Sequence, residues 1–151
     1  MLPEAAARPR ISVLIADDHT VVRNGMRALL ETENDIEVVG EAENGRRVVE
    51  LAKEFAPTVV IMDIAMPLLN GVEATRQIRR SLPDTKILIV SIYRDDEYVQ
   101  EVLQAGALGY VVKQAAGDEL LAGIRAVSRG QPYLSAELTR SSGRCANGEG
   151  Q

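Results

Sequence analysis

The chain has 151 residues, 46% of them hydrophobic, which suits one domain with its own buried core. Its formal net charge of -5 argues against a nucleic-acid surface within this piece, because phosphate backbones are bound by clustered Lys and Arg. No apolar run approaches the roughly 18 residues of a membrane span, and the lone Cys145 fits a reducing compartment, so we expect a cytoplasmic protein.

The predicted elements follow a leader at residues 1–10, which has two prolines and no apolar periodicity and is expected to be flexible. From Ile11 onward, short apolar runs alternate with amphipathic segments in five repeats. In chain order the pairs are ISVLIA with TVVRNGMRALLE, IEVVGE with GRRVVELAKEF, TVVIMD with GVEATRQIRRS, KILIVS with DDEYVQEVLQA, and LGYVVK with GDELLAGIRAVSRG. This alternation predicts an α/β doubly wound parallel sheet with helices on both faces.

Two features mark the ends of predicted elements. Gly106 follows the fourth helical segment, where a left-handed cap is favoured. Residues 134–151 lose the apolar rhythm and become rich in Ser and Gly, which predicts a linker or disordered tail. The predicted domain therefore spans residues 11–133.

Polar residues close four of the five predicted strands. They are Asp17, Asp18, Asp63, Ser91 and Lys113. Because ligands of open parallel sheets bind at the carboxyl ends of strands, these side chains are expected to meet at one edge. Clustered carboxylates are unfavourable without a cation, so the set predicts a site for a hard divalent ion such as Mg²⁺.

Each of these residues also has a simpler interpretation. Asp18 suits a helix start, and Asp63 suits a turn before the proline-containing loop. Ser91 alone indicates little, and a lysine such as Lys113 is usually a solvated charge. Only their joint placement at successive strand ends points to a site.

The segments ADDH, VVIMDIAMPLLNG, ILIVS and GALGYVVK together resemble the receiver domain of bacterial two-component response regulators, across residues 11–133. The resemblance implies a flavodoxin-like (CheY-like) fold with a five-stranded sheet in the order 2-1-3-4-5. It also implies a signalling phosphoacceptor that catalyses only its own phosphorylation and dephosphorylation, with a sensor histidine kinase as donor. The site roles carried by the resemblance are the phosphoacceptor Asp63, the Mg²⁺ ligands Asp17, Asp18, Asp63 and the backbone carbonyl of Ala65 (with Mn²⁺ as a substitute ion), and the phosphate-contacting and switch residues Ser91, Tyr110 and Lys113.

His19, with the segments VVRNGMRALLE and RGQPYLSAEL, is similar to the NarL/FixJ (LuxR-type) subclass. That resemblance implies a helix-turn-helix output, which is absent from this chain, so DNA would be contacted only through that output. It also implies a homodimer of modest strength on phosphorylation and no membrane partner. We interpret His19 as a helix-start residue and leave it out of the metal set.

Two positions bear on the lifetime of an acyl phosphate. Ala65 and Tyr93, each two residues after a site residue, match positions that flank the hydrolytic water in the family. Ala65 has no polar group to orient water and Tyr93 can cover the phosphoryl group, so we predict a lifetime of minutes or longer. In the same loop, Leu68 stands where a glycine often follows the proline.

Three other classes of protein place similar residues on similar folds. A haloacid dehalogenase-type phosphatase needs a second Asp where Ala65 stands. A nucleotide- or flavin-binding module needs a glycine-rich first turn, whereas this one reads DDHT. The remaining alternative is a receiver-like interaction module that works without phosphorylation.

Overall fold

A computed structural model of the chain describes residues 10–114, 117–136 and 138. Nearly all of the predicted leader, most of the predicted tail and Cys145 lie outside the described residues. None of the described helices is both long enough and apolar enough to cross a bilayer.

The described chain folds into one sheet with helices between its strands. The strands are β1 Ile11–Ala16, β2 Ile36–Ala42, β3 Val59–Met62, β4 Lys86–Ser91, β5 Gly109–Val112 and β6 Tyr133–Leu134. The helices are α1 Thr20–Glu31, α2 Gly45–Phe55, α3 Gly71–Ser81, α4 Asp96–Ala105 and α5 Gly117–Ser128. The strand order is β2-β1-β3-β4-β5-β6, and every neighbouring pair is parallel.

The order of the first five strands is the predicted one, but the predicted number of five strands is wrong. β6 adds a sixth strand at the edge, beside Gly109 and Tyr110. Ser135 extends this pairing, because its backbone N donates to Tyr110 O at 2.9 Å and its Oγ accepts from Val112 N at 2.9 Å. A two-residue strand presents no run of apolar residues, so hydrophobic periodicity does not reveal it.

The core lies on both faces of the sheet, which explains why the central strands are apolar at consecutive positions. In β1, Val13 and Ile15 pack in one layer and Leu14 and Ala16 in the other, and all four are fully buried. The layer of Val13 contains buried residues of α1 and α5: Met26, Leu30, Leu120, Ile124 and Val127. The opposite layer contains those of α2, α3 and α4: Val48, Val49, Leu51, Ala52, Val72, Ala74, Ile78, Val99 and Val102.

Local signals fix where several helices begin and end. The side chain of Asn44 accepts a hydrogen bond from Arg47 N at 2.8 Å at the start of α2, and that of Asn70 accepts from Glu73 N at 3.0 Å at the start of α3. Gly106 closes α4 at a φ of 117°, which confirms the predicted left-handed cap. The Asn44 and Asn70 caps close the loops that follow β2 and β3, at the edge of the sheet where the strands end.

Candidate functional site

Four strand ends bring the predicted polar residues together. Asp17, Asp63 and Lys113 directly follow β1, β3 and β5, and Ser91 is the last residue of β4. Lys113 Nζ lies 2.7 Å from Asp17 Oδ2 and 3.5 Å from Asp63 Oδ2. The two carboxylates are almost wholly buried, with 1% and 4% of their surfaces exposed. The structure therefore places an ammonium between two buried acids at one edge of the sheet.

Backbone hydrogen bonds continue past the strand ends and hold these residues in place. Asp17 N donates to Ala42 O at 3.0 Å, Asp63 N donates to Ala16 O at 3.0 Å, and Lys113 N donates to Ser91 O at 2.8 Å. The side chains thus project from rigid backbone rather than from free loops, which keeps their spacing fixed.

The loop after Asp63 depends on a close backbone approach at Gly71. Gly71 N donates to Ile64 O at 2.8 Å, and a Cβ at Gly71 would lie 2.1 Å from Asp63 O. Only glycine fits this contact. Ala65 is exposed in the same loop, and Leu68, with a φ of 70°, adopts the left-handed conformation at the position where the sequence lacks the expected glycine.

The acidic cluster has the composition of a divalent metal site. Asp17, Asp18, His19 and Asp63 each offer a ligand atom, and these atoms all lie within 4.8 Å of one another. Lys113 forms a close ion pair with Asp17 Oδ2, but no described residue gives this buried oxygen a well-aligned hydrogen bond. A buried carboxylate oxygen with unused acceptor capacity beside further carboxylates fits an oxygen-liganded cation.

The electrostatics of the site follow from burial and from crowding of like charges. Burial raises the pKa of the Asp63 carboxyl, and the charges of Asp17 and Asp18 add to this, while Lys113 acts in the opposite direction. Burial acts to lower the pKa of Lys113, but contact with Asp17 and the charge of Asp63 outweigh it and leave the pKa above its ordinary value. Lys113 is therefore a firmly protonated cation beside Asp63.

The β4–α4 connection is tied to the buried Ser91 and Tyr110. Tyr93 N donates to Ser91 Oγ at 3.1 Å, and Tyr110 donates its hydroxyl proton to Tyr93 O at 2.8 Å. The ring of Tyr93 also stacks on Tyr98, with 4.6 Å between the centroids. The backbone of Tyr93 is thus bound on both sides by the two predicted switch residues.

An arginine that the sequence analysis did not single out holds the backbone of Asp17, the first residue of the acid pair Asp17 and Asp18. Arg23 donates from Nη1 to Asp17 O at 2.6 Å and from Nε to Glu41 Oε1 at 3.0 Å, and Arg27 Nη1 lies 2.6 Å from Glu41 Oε2. These contacts join α1 to the end of β2. They depend on the pairing of β1 with β2, and no local sequence signal indicates them.

His19 is the second residue that the structure brings into the site against expectation. Its Nδ1 lies 3.0 Å from Asp17 Oδ1 and 3.1 Å from Asp18 Oδ1. Its backbone N donates to Asp17 Oδ1 at 2.8 Å. The sequence signal was its position directly after the acid pair.

Comparisons with known proteins give one consistent result. Residues 13–125 match the family model of the response regulator receiver domain. The chain is 45% identical over 128 residues to the transcriptional regulatory protein LiaR of Bacillus subtilis, covering 85% of this chain and 61% of that protein. It is 40% identical over 132 residues to the transcriptional regulatory protein DegU of Brevibacillus brevis, covering 87% of this chain and 56% of that protein. The chain thus spans less than two thirds of the length of these curated relatives.

Solved structures agree with the sequence relatives. A two-component response regulator of the LuxR family from Aurantimonas sp. SI85-9A1 superposes with a TM-score of 0.85 at 32% identity, covering 90% of this chain and 99% of that one. The receiver domain of the putative response regulator NarL from Mycobacterium tuberculosis gives a TM-score of 0.78 at 30% identity, covering 82% and 99%. A structure of two RcsB dimers bound to two parallel DNAs gives a TM-score of 0.80 at 28% identity, covering 87% of this chain and 67% of the RcsB chain.

Proposed function

Because the chain belongs to the response regulator receiver domain family, and within it to receivers of the NarL/LuxR type, we propose that Asp63 accepts a phosphoryl group from a sensor histidine kinase. One observation carries this proposal. The buried Asp63 carboxylate lies 3.5 Å from the Lys113 ammonium and within 4.8 Å of the acid pair's ligand atoms. That arrangement provides a nucleophile with a cation beside it.

The proposed reaction transfers phosphorus from nitrogen to oxygen. A carboxylate oxygen of Asp63 forms a bond to phosphorus while the bond between phosphorus and the kinase's histidine breaks, which leaves an acyl phosphate on Asp63 and a free imidazole on the kinase. Lys113 supplies positive charge to the phosphoryl oxygens. Asp17, Asp18, Asp63 and the carbonyl of Ala65 would hold Mg²⁺, which neutralises charge on the transferred group when it is bound, and Mn²⁺ suits the same oxygen ligands.

The proposed switch begins at Ser91. A hydroxyl that turns toward a phosphoryl oxygen can no longer accept the hydrogen bond from Tyr93 N in the same way. The Tyr110 hydroxyl donates to the carbonyl of Tyr93, so a change at Ser91 that moves the Tyr93 backbone also alters the hydrogen bond that holds the buried Tyr110 ring. We propose that this coupling carries the signal to the surface formed by α4, β5 and α5.

The test of the phosphoacceptor is direct. The protein is incubated with acetyl phosphate and Mg²⁺, and intact mass is measured beside Asp63→Asn and a Mg²⁺-free sample. One added phosphoryl group that is lost in both controls is the expected result. No addition to folded protein that binds Mg²⁺ would overturn the proposal and favour the interaction module that works without phosphorylation.

The lifetime of the acyl phosphate follows from the residues beside the site. Ala65 offers no side-chain group to orient a water, and Tyr93 lies next to Ser91 with its ring stacked on Tyr98. We therefore propose slow self-dephosphorylation, with a half-life of minutes or longer in Mg²⁺. Decay of the added mass within seconds would contradict it.

The partners of the whole protein are also proposals. The relatives LiaR and DegU are transcriptional regulatory proteins, and the RcsB chain is dimeric on DNA in its structure. We propose that this receiver controls a helix-turn-helix output in the cytoplasm and associates into dimers when phosphorylated. Sedimentation with and without beryllofluoride tests the dimer, and an unchanged monomer in both samples would exclude it.

A further inference from the structure

The side chain of His19 does not serve the helix that it precedes. His19 is the N-cap residue of α1, with an extended φ of -100° and ψ of 114°, but its side chain makes no capping hydrogen bond. Its Nδ1 instead lies 3.0 Å and 3.1 Å from carboxylate oxygens of Asp17 and Asp18. The interpretation of His19 as a helix-start residue therefore accounts for its backbone but not for its imidazole.

The imidazole completes a mixed set of ligand atoms. Three carboxylates and one ring nitrogen lie within 4.8 Å of one another. One buried oxygen of Asp17, Oδ2, forms an ion pair with Lys113 at 2.7 Å but has no well-aligned hydrogen-bond donor among the described residues. Mg²⁺ prefers oxygen ligands, whereas imidazole nitrogen suits ions such as Ni²⁺, Co²⁺ and Zn²⁺. His19 is 63% exposed, so its ring is accessible to an ion from solvent.

We propose that His19 is a metal ligand of this site for imidazole-accepting divalent ions, and that it increases their affinity without contributing to the binding of Mg²⁺. The inference rests on the proposed function in that both use the carboxylates of Asp17, Asp18 and Asp63. The proposal concerns the dependence of Ni²⁺ affinity on His19 and not the preference for Ni²⁺ itself, because most sites with oxygen and nitrogen ligands bind Ni²⁺ more tightly than Mn²⁺ or Fe²⁺.

Calorimetric titrations with Ni²⁺ and with Mg²⁺ separate the two contributions. All proteins carry Cys145→Ser, so that the single thiol adds no ligand. His19→Ala is expected to lower Ni²⁺ affinity at least about tenfold, since even the loss of a residue that only hydrogen-bonds to a metal ligand has that effect. The same substitution is expected to leave Mg²⁺ affinity within about twofold of the starting value. Asp63→Asn is expected to lower the affinity for both Ni²⁺ and Mg²⁺.

Two outcomes of the titrations would overturn the proposal. Unchanged Ni²⁺ affinity in His19→Ala would show that the imidazole is no ligand. Equal losses for both ions would show that His19 only arranges the carboxylates. The proposed function has its own readout, since phosphorylation of the unaltered chain in Mg²⁺ is measured separately and does not depend on either result.

A spectroscopic measurement checks the ligand itself. His19 is the only histidine in the chain, so its ring signals in nuclear magnetic resonance spectra need no assignment by mutation. Zn²⁺ is expected to shift the Nδ1 resonance in the Cys145→Ser protein, and Mg²⁺ is expected to leave it in place. Zn²⁺ binding at the site without a shift of that resonance would refute the assignment of His19 as a ligand.

Discussion

At Asp63 the fold buries a carboxylate that its neighbours compensate only in part. Its pKa is raised by burial and by the charges of Asp17 and Asp18, and Lys113 offsets part of that effect. Lys113 is also closer to Asp17, at 2.7 Å against 3.5 Å. An ionised Asp63 in this cluster of acids is therefore expected to reduce the stability of the domain when no divalent ion is bound.

Asp63→Asn should stabilise the metal-free protein at neutral pH. The raised pKa means that the folded state binds a proton at Asp63 more tightly than the unfolded chain does. The contribution of Asp63 to stability therefore falls as the pH rises from the ordinary pKa of 3.8 through the higher pKa of the folded state. We expect a gain on the order of 1 kcal/mol in the free energy of unfolding at pH 7, which disappears below the ordinary value.

Urea unfolding in a chelator across this pH range measures the effect. The exposed carboxyl of Asp84 provides the matched control, because Asp84→Asn removes the same charge outside the site. A less stable Asp63→Asn protein at neutral pH would mean that the attraction of Lys113 outweighs burial and repulsion.

Tyr110 contributes a hydrogen bond as well as apolar packing. Its ring is fully buried and its hydroxyl donates to Tyr93 O at 2.8 Å. Tyr110→Phe keeps the ring and should lower the free energy of unfolding by about 1 kcal/mol. Tyr133→Phe is the control with little expected effect, since no hydrogen bond to the Tyr133 hydroxyl is found among the described residues. Equal stability of the two variants in urea would argue against the Tyr110 bond.

At the scale of elements, α2 ends with a left-handed residue that is not glycine. Ala56 has a φ of 44° and ψ of 58°, and its N donates to Ala52 O at 2.7 Å. For an L residue with a Cβ this conformation costs about 1–2 kcal/mol, part of which glycine recovers. Ala56→Gly should therefore raise the free energy of unfolding by about 0.5–1 kcal/mol.

A substitution to glycine at the end of α4 is expected to change the free energy of unfolding in the opposite direction. Ala105 is the last residue of α4, before the left-handed Gly106, and packs against the core, so Ala105→Gly adds flexibility, removes a methyl contact and should destabilise by at least about 0.5–1 kcal/mol. Thermal or urea unfolding of both variants distinguishes conformational strain at Ala56 from a general effect of glycine. Destabilisation by both substitutions would mean that Ala56 carries no strain.

Hydrophobic patterns predicted the regular elements well, because each central strand is a continuous apolar run and each helix repeats its apolar residues with the period of one turn. The segments TVVRNGMRALLE, GRRVVELAKEF and GVEATRQIRRS coincide with α1, α2 and α3. β6 has two residues and is specified by pairing with β5, which no local pattern reports. The left-handed conformations of Leu68 and Ala56 were not predicted, because leucine and alanine rarely adopt this conformation and so give no local signal of it.

For the whole molecule, the parallel arrangement of the strands explains why the acids, Ser91 and Lys113 could be predicted to meet. Parallel strands end at a common edge, so the order of the elements alone is enough to predict their meeting. The contacts of Arg23 with Asp17 O and Glu41 require a side-chain conformation and the register between β1 and β2. The approach of the His19 ring to the acid pair likewise depends on a side-chain torsion, which a sequence does not encode locally.

The stability of the whole domain should depend on Mg²⁺ because the proposed ligands come from two separate strand ends, those of β1 and β3. Unfolding separates Asp17 from Asp63 and so destroys the site, which means that the ion binds the folded state alone. The free energy of unfolding is expected to rise by about 1.4 kcal/mol for each tenfold increase in Mg²⁺ above its dissociation constant. Asp17→Asn should flatten this dependence.

Ionic strength must be held constant in that titration, because added salt also screens the repulsion among the carboxylates. Sodium chloride at matched ionic strength should raise the stability much less than Mg²⁺ does, since a screened charge remains buried while a liganded one is neutralised. If sodium and Mg²⁺ act equally, the cluster is only a repulsive patch. A steep response to Mg²⁺ alone means that the energy lost by gathering the acids at one edge is recovered on ion binding, which links the metal to the fold and to the charge state of Asp63.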